Sequence, residues 1–309
     1  MRDEHTDKTL TRDNLDGYDE WTHPIENFTQ IVASESGGVY RVQTGDGTKF
    51  LRVLDSPPAE QFIEILQSND TVGFPSSRIL VGDPPLLMMD EAQGRPLSRV
   101  YPIVTFPLLW WYFGSDIRTA NERLGTYLGR LHRETKRGVR PLRSTSFEKY
   151  RTNVEGIEKV LEDKTLSRID TIVDRLDDAE LSSCLVHGDP TPHNLFYRDA
   201  DLTLIDFSLD LDAVVRDVIN AERGIELMIG RLPHGRSNQS ATLVEAFRSG
   251  YQEAFPSFER PERFEQLRCV SDAYLLSLQL KRTFDKRGAR VAQRTDVRLL
   301  ANRIRAALS

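Results

Sequence analysis

A chain of 309 residues is long enough to bury one sizeable core or two modest ones. With 39% hydrophobic and 28% charged residues it has the composition of an ordinary globular protein, which excludes the disordered and fibrous classes. A formal net charge of -6 argues against a general binder of nucleic acid or of anionic membranes, because neutralising phosphates takes a basic surface.

Residues 1–27 are polar and acidic with little periodicity, and a mobile arm or an irregular cap is expected there. No apolar leader core occurs in that stretch, and the most hydrophobic run, residues 101–113, is too short to span a bilayer, so a cytoplasmic protein without a membrane partner is expected. Cys184 and Cys269 lie far apart outside any C-x-x-C or Cys/His spacing, which points to reduced, buried thiols rather than zinc or a disulfide.

From residue 28 short β-rich runs follow at 29–33, 38–44 and 48–54, separated by Ser36-Gly37-Gly38 and Thr44-Gly45-Asp46-Gly47, so hairpins are expected. A helix is expected at 59–67, after Pro57-Pro58, and then strands at 79–81 and 86–89. Beyond Gly94-Arg95-Pro96 the pattern turns helical, at 119–135, 147–173, 240–255 and 263–284. The aromatic run Trp110-Trp111-Tyr112-Phe113 reads as a helical core patch in preference to a pocket lining. A strand-rich first third before a helical remainder predicts an α+β protein of two lobes, with residues 28–93 as a small β-rich N-lobe and 94–309 as a larger helical C-lobe.

The chemistry concentrates in 185–196, L-V-H-G-D-P-T-P-H-N-L-F, followed by L-T-L-I-D-F at 202–207. Short apolar runs flank a loop and a turn, which puts acidic and amide side chains at the ends of two neighbouring strands. Asp189 and Asn194 have the spacing of the kinase catalytic loop H-R-D-x-x-x-x-N, and Asp206-Phe207 resembles the metal-binding D-F-G. Phosphoryl transfer needs positioning and charge neutralisation more than covalent help. Asp189 is the expected acceptor of the attacking hydroxyl's proton. Asn194 offers a neutral oxygen to magnesium, and Asp206 a carboxylate between metal and phosphates.

H-G-D-x-x-x-x-N with a following I-D-F resembles the aminoglycoside phosphotransferase and choline kinase group of the protein-kinase-like superfamily, with glycine after the histidine as its mark. Further landmarks fall in the family's order at Tyr40-Arg41-Val42, Phe50-Leu51-Arg52-Val53, Leu87-Met88-Met89-Asp90, Gly94-Arg95-Pro96-Leu97 and Leu128-Gly129-Arg130-Leu131-His132. The resemblance implies a two-lobed kinase-like fold with ATP and Mg2+ as cofactors and a hydroxyl-bearing small molecule as acceptor. It also implies Ser36, Gly37 and Gly38 in the turn over the phosphates, Arg52 as the third-strand cation, and main-chain groups of Asp90 and Ala92 at the adenine edge. A glutamate from the 59–67 helix is to pair with Arg52. Glu60 is preferred over Glu64, lying about 140° rather than about 180° from the helix's apolar group. His187 and His132 are expected to be structural, and Asp217 to tie down the catalytic loop by hydrogen bonds to its backbone. The alternative is an atypical protein kinase or kinase-like ATPase, similar to the compact kinase of the KEOPS complex, which Asp206-Phe207-Ser208 and the stretch from Asn220 to Gly224 also resemble.

Overall fold

The structure is a computed structural model. It describes residues 10–15, 17–18, 21, 24–32, 38–54, 77–142, 145, 157–176, 179–199, 201–207, 210–232, 235–285 and 291–308. The expected 59–67 helix with Glu60 and Glu64, the turn residues Ser36 and Gly37, and the start of the expected 147–173 helix lie outside that set. Contacts divide the chain into two units, Met1–Gly94 with Thr203–Ile205, and Arg95–Leu202 with Asp206–Ser309.

In the first unit, β1 (Ile25–Val32), β2 (Val39–Thr44), β3 (Gly47–Val53), β4 (Ser77–Leu80) and β5 (Leu86–Asp90) form an antiparallel sheet in the order β1-β2-β3-β5-β4. The β2–β3 turn works because Gly47 takes φ 119°, a conformation that costs glycine nothing and a Cβ-bearing residue much. Period-two alternation buries Tyr40 and Val42 from β2 with Leu51 and Val53 from β3. Strand β1 starts at Ile25, inside the stretch read as a polar extension, because the exposed pair Glu26-Asn27 after the buried Ile25 breaks the alternation. The described part of that stretch is a cap. Leu10, Leu15 and Tyr18, around the short helix α1 (Arg12–Leu15), pack into the core of the sheet, and the Leu10 N–H donates to the Tyr40 hydroxyl at 2.9 Å.

The second unit carries β6 (Arg95–Pro96), α2 (Leu97–Val104), α3 (Pro107–Thr135), β7 (Val139–Pro141), α4 (Asp163–Leu176), β8 (Glu180–Val186), β9 (Leu195–Arg198) and the first half of β10 (Asp201–Leu204), whose Thr203 and Leu204 are counted with the first. It continues with β11 (Asp210–Ala213), α5 (Val214–Gly230), α6 (Ser237–Ala254), α7 (Phe264–Asp285) and α8 (Val291–Leu308). Two small sheets run β10-β9-β6 and β11-β8-β7.

Helix α3 is 29 residues long and begins well before the expected 119, with Pro107 in its first turn where a missing N–H does no harm. The aromatic run is not core, as Trp111 is 78% exposed and Tyr112 65%. The face of α3 that is buried comes later, at Ile117, Leu124, Leu128 and Leu131.

Helices α3 and α6 run side by side in the same direction, tied at one end by Gln239 Nε2 donating to the Thr105 carbonyl (3.1 Å) and at the other by Arg133 to the Ala254 carbonyl (3.0 Å). Their backbones touch at three glycines. A Cβ on Gly250 would lie 1.9 Å from the Glu122 carbonyl oxygen, one on Gly125 2.0 Å from that of Phe247, and one on Gly129 2.8 Å from that of Tyr251. Main chain cannot swing aside as a side chain can, so the helices would have to separate. Gly250→Ala is therefore expected to cost roughly 2–3 kcal/mol of unfolding free energy, against the slight gain alanine brings to an open helical site. Urea titration measures it, and an unchanged midpoint would refute the close approach.

Candidate active site

Strand β8 ends at Val186 and β9 begins at Leu195, and they belong to different sheets, so the segment 187–194 crosses from one sheet to the other. Two tight turns shape it: Thr191 N–H donates to the Asp189 carbonyl at 2.8 Å and Asn194 N–H to the Thr191 carbonyl at 2.9 Å. Its proline-bearing middle is pinned by Ser98 N–H on the Pro192 carbonyl, 2.9 Å. Gly188 sits at φ 91°, which explains glycine at that place in the motif.

The beginning of the segment is held from α5. Asp217 Oδ2 accepts the His187 N–H at 2.6 Å and Oδ1 the Gly188 N–H at 2.8 Å, while Asn220 Nδ2 donates to the Gly188 carbonyl at 2.9 Å. Asp217 is fully buried, and His132 Nε2 approaches its Oδ2 at 3.1 Å. Burial pushes the Asp217 carboxyl up. The hydrogen bonds from His132 and the Gly188 N–H, with His187 nearby, outweigh that and hold it below the ordinary aspartate range. His187 is buried, with its ring edge-on to Phe207 at 6.4 Å between centroids. Neither histidine reaches the surface, which leaves Asp189 as the exposed acid of the segment.

Asn194 donates through Nδ2 to both the main-chain oxygen and Oδ2 of Asp189, each at 3.0 Å. That spends the nitrogen and leaves Oδ1 as the outward acceptor. Strands β9 and β10 are neighbours joined by a tight turn at Asp199 (φ 49°), so Asn194, just before β9, and Asp206, just after β10, stand at the same end of one hairpin. Asp206 is exposed and takes φ 60°, one of two described non-glycine residues with positive φ. Such a conformation persists where the neighbours fix it, here the burial of Phe207 against His187.

Among the described residues no three His, Cys, Asp or Glu side chains gather to cage a metal. Mg2+ takes one or two protein oxygens and fills its remaining positions with water and phosphate, and the hard oxygens of Asn194 and Asp206 are of the chemistry it accepts.

In the first unit, Gly38 has φ 89° and its carbonyl accepts the Val53 N–H at 3.2 Å. Arg52 is half-buried on β3, opposite Val39 and Leu87. The Asp90 carboxylate accepts from Lys49 Nζ at 2.6 Å, and Asp90 and Ala92 border a cavity of about 440 Å³ with Lys49 and Thr203. Ser36, Gly37 and Glu60 lie outside the described residues. Two participants went unnoticed in the sequence. Asn220 carries a signal, standing three residues after Asp217 on the same helical face, whereas Tyr251, which reaches His132, carries none.

The fold and this segment define a kinase-like phosphotransferase. A model of the phosphotransferase enzyme family matches residues 27–260, and the chain belongs to that family. Among solved structures, amicoumacin kinase hAmiN in complex with AMP-PNP, Ca2+ and Ami is similar at 15% identity, TM-score 0.63, over 96% of this chain and 96% of that one. Glucosamine kinase in complex with glucosamine, ADP and inorganic phosphate gives 15% identity and TM-score 0.60 over 92% of this chain and 79% of that one. A thermostable mutant of aminoglycoside phosphotransferase APH(4)-Ia, in ternary complex with ADP and hygromycin B, gives 12% and 0.53 over 92% and 94%. At these identities the likeness is one of fold. No curated protein matches in sequence.

Asp217→Asn leaves three donors facing a group with one acceptor atom. A loss of roughly 2–4 kcal/mol in stability is expected by urea titration. A loss under about 0.5 kcal/mol would mean that water or other groups serve those amides.

Proposed function

We propose that the protein transfers the γ-phosphate of ATP to a hydroxyl of a small molecule. The observation that carries the reading is the placement of Asn194 and Asp206 at one end of the β9–β10 hairpin, with Asn194 bound to the exposed Asp189. Base, amide and metal carboxylate are thus presented together, on a segment fixed from below by Asp217.

In this mechanism the Asp189 carboxylate takes the proton of the acceptor hydroxyl as its oxygen attacks the γ-phosphorus, and the bond to the leaving ADP oxygen breaks. The Asn194 amide keeps that carboxylate oriented. Asn194 Oδ1 and the Asp206 carboxylate would hold Mg2+, whose contribution is to neutralise charge on the phosphates. Arg52 serves the same end from β3, with its guanidinium able to take two phosphate oxygens at once and Glu60 to steady it. Ser36, Gly37 and Gly38 cover the phosphates by main-chain N–H groups, and main-chain groups of Asp90 and Ala92 meet the adenine edge. The Lys49 contact to the Asp90 carboxylate is compatible with that role, since it uses the side chain and not the backbone. The matched family and the nucleotide-bound amicoumacin and glucosamine kinases support a nucleotide-dependent reaction on a small acceptor.

Assays of transfer from ATP and GTP to a panel of amino alcohols, sugars and aminoglycosides test the reading. Phosphorylation confined to a protein or tRNA-linked partner, with every small acceptor inert, would favour the kinase-like ATPase instead.

Two variants separate the roles. Asp189→Asn is expected to lower transfer by roughly two to four orders of magnitude while MgATP binding and melting temperature stay near wild type. Near-normal transfer by the folded variant would end its assignment as the base. Asp206→Ala is expected to abolish MgATP binding in calorimetry, because the carboxylate that would hold the metal against the phosphate charge is gone. Unchanged affinity would remove Asp206 from the metal site.

A further inference from the structure

Asp217 holds the catalytic segment, and what holds Asp217 lies one helix further back. His132 is buried and bonds through both ring nitrogens, with Nε2 3.1 Å from Asp217 Oδ2 and Nδ1 2.7 Å from the Tyr251 hydroxyl. An ionised carboxylate only accepts, so Nε2 carries a proton. In the neutral imidazole Nδ1 is then an acceptor, and Tyr251 is its donor. The hydrogen bonds point one way throughout, from the Tyr251 O–H to Nδ1, from Nε2–H to Asp217, and from the His187 and Gly188 N–H groups to the same carboxylate.

The packing leaves Tyr251 little freedom to do anything else. It is 3% exposed, and its ring lies 5.1 Å from that of Phe258, 5.9 Å from Phe247 and 5.6 Å from the His132 imidazole. The glycine seam between α3 and α6 is what lets a residue of α6 reach across to α3, since Gly129 sits directly against the Tyr251 main chain. A phenylalanine at 251 would fill the same space. Nothing in the packing requires the hydroxyl, so its partner on His132 is the reason to look for a function.

We propose that Tyr251 is a positioning residue for the phosphotransfer inferred above, on which this role rests. By donating to Nδ1 it holds His132 in the tautomer whose Nε2–H secures Asp217, and through Asp217 it fixes the backbone that carries Asp189. Without the hydroxyl, the Nδ1 lone pair is buried with no donor. The other tautomer would satisfy nothing, because it turns a bare Nε2 toward the carboxylate. The ring then exchanges between two poor states, and the amides of His187 and Gly188 lose a fixed acceptor.

The test compares Tyr251→Phe with Val244→Ala, which trims a buried side chain of the same helix away from the relay. Three readouts are taken on the full chain: amide hydrogen exchange at His187 and Gly188, the ring nitrogen signals of His132, and kcat against KM for ATP. For Tyr251→Phe the two amides are expected to exchange about tenfold faster than in the wild type, with kcat falling about tenfold and KM for ATP staying within about twofold. The His132 signals are expected to leave the single Nε2–H tautomer. Val244→Ala is expected to lower the melting temperature and to leave all three readouts unchanged. Wild-type exchange and a single tautomer in Tyr251→Phe would overturn the proposal, as would Val244→Ala reproducing the whole pattern. If the wild type transfers phosphate to no acceptor, the phosphotransfer reading fails on its own, and exchange and tautomer still decide whether Tyr251 holds the segment.

Discussion

An ionised carboxylate in a dry interior is the constraint around which the larger unit is arranged. Removing Asp217 from water costs several kcal/mol unless its lone pairs find donors, and here two main-chain amides and an imidazole supply them. The donors come from two stretches of chain and the acid from a third: the amides just past the end of β8, the imidazole from α3, the acid from α5. The same bonds that make the charge tolerable therefore dictate where three elements meet. The conformation of the segment between β8 and β9 follows from that meeting, with Gly188 the residue that can take the required φ.

Helix α5 is gripped on a second side. Glu222, five residues beyond Asp217, is likewise buried and accepts from Arg248 at 2.8 and 2.9 Å, from Arg260, and from Arg268 at 3.4 Å. Burial pushes its carboxyl up, and the Arg248 hydrogen bond with the charges of Arg260, Arg248 and Arg268 brings it below the usual glutamate range. Asn220 and Arg223 extend the same scaffold, since Arg223 donates to Asn220 and, at 2.7 Å, to Ser271 on α7. Guanidinium suits this work better than ammonium, as its planar fork serves two oxygens in one geometry. The segment that carries Asp189 is thus backed by a helix that other helices hold through charged groups.

Much of this was legible in the sequence because it is local. Strands β2, β3 and β5 fall within a residue or two of the alternation that announces them, and the H-G-D-x-x-x-x-N block fixes both ends of the segment by spacing alone. Asp217 was readable as a tie for the loop because it follows Asp206 at about the interval where the family it resembles often places such an aspartate. The links that failed are those that need the third dimension. Tyr251 lies 119 residues from His132, and no periodicity connects them. The aromatic run of α3 looks like core by composition, yet composition does not say which turn of a long helix faces inward, and the buried face begins after it. Asp206 stands out in the sequence as the acid of an I-D-F run, whereas its positive φ belongs to the packing of Phe207 and leaves no mark in the chain.

The glycine contacts between α3 and α6 have a mechanical consequence. Where side chains separate two helices, rotamer changes let one slide or roll over the other at small cost. Here Gly125, Gly129 and Gly250 put main chain against main chain, and that cushion is missing. The pair should bend and translate as a single strut, so a push on the solvent-facing aromatic end of α3, around Trp111, is delivered a helix length away at His132 with little lost to repacking on the way.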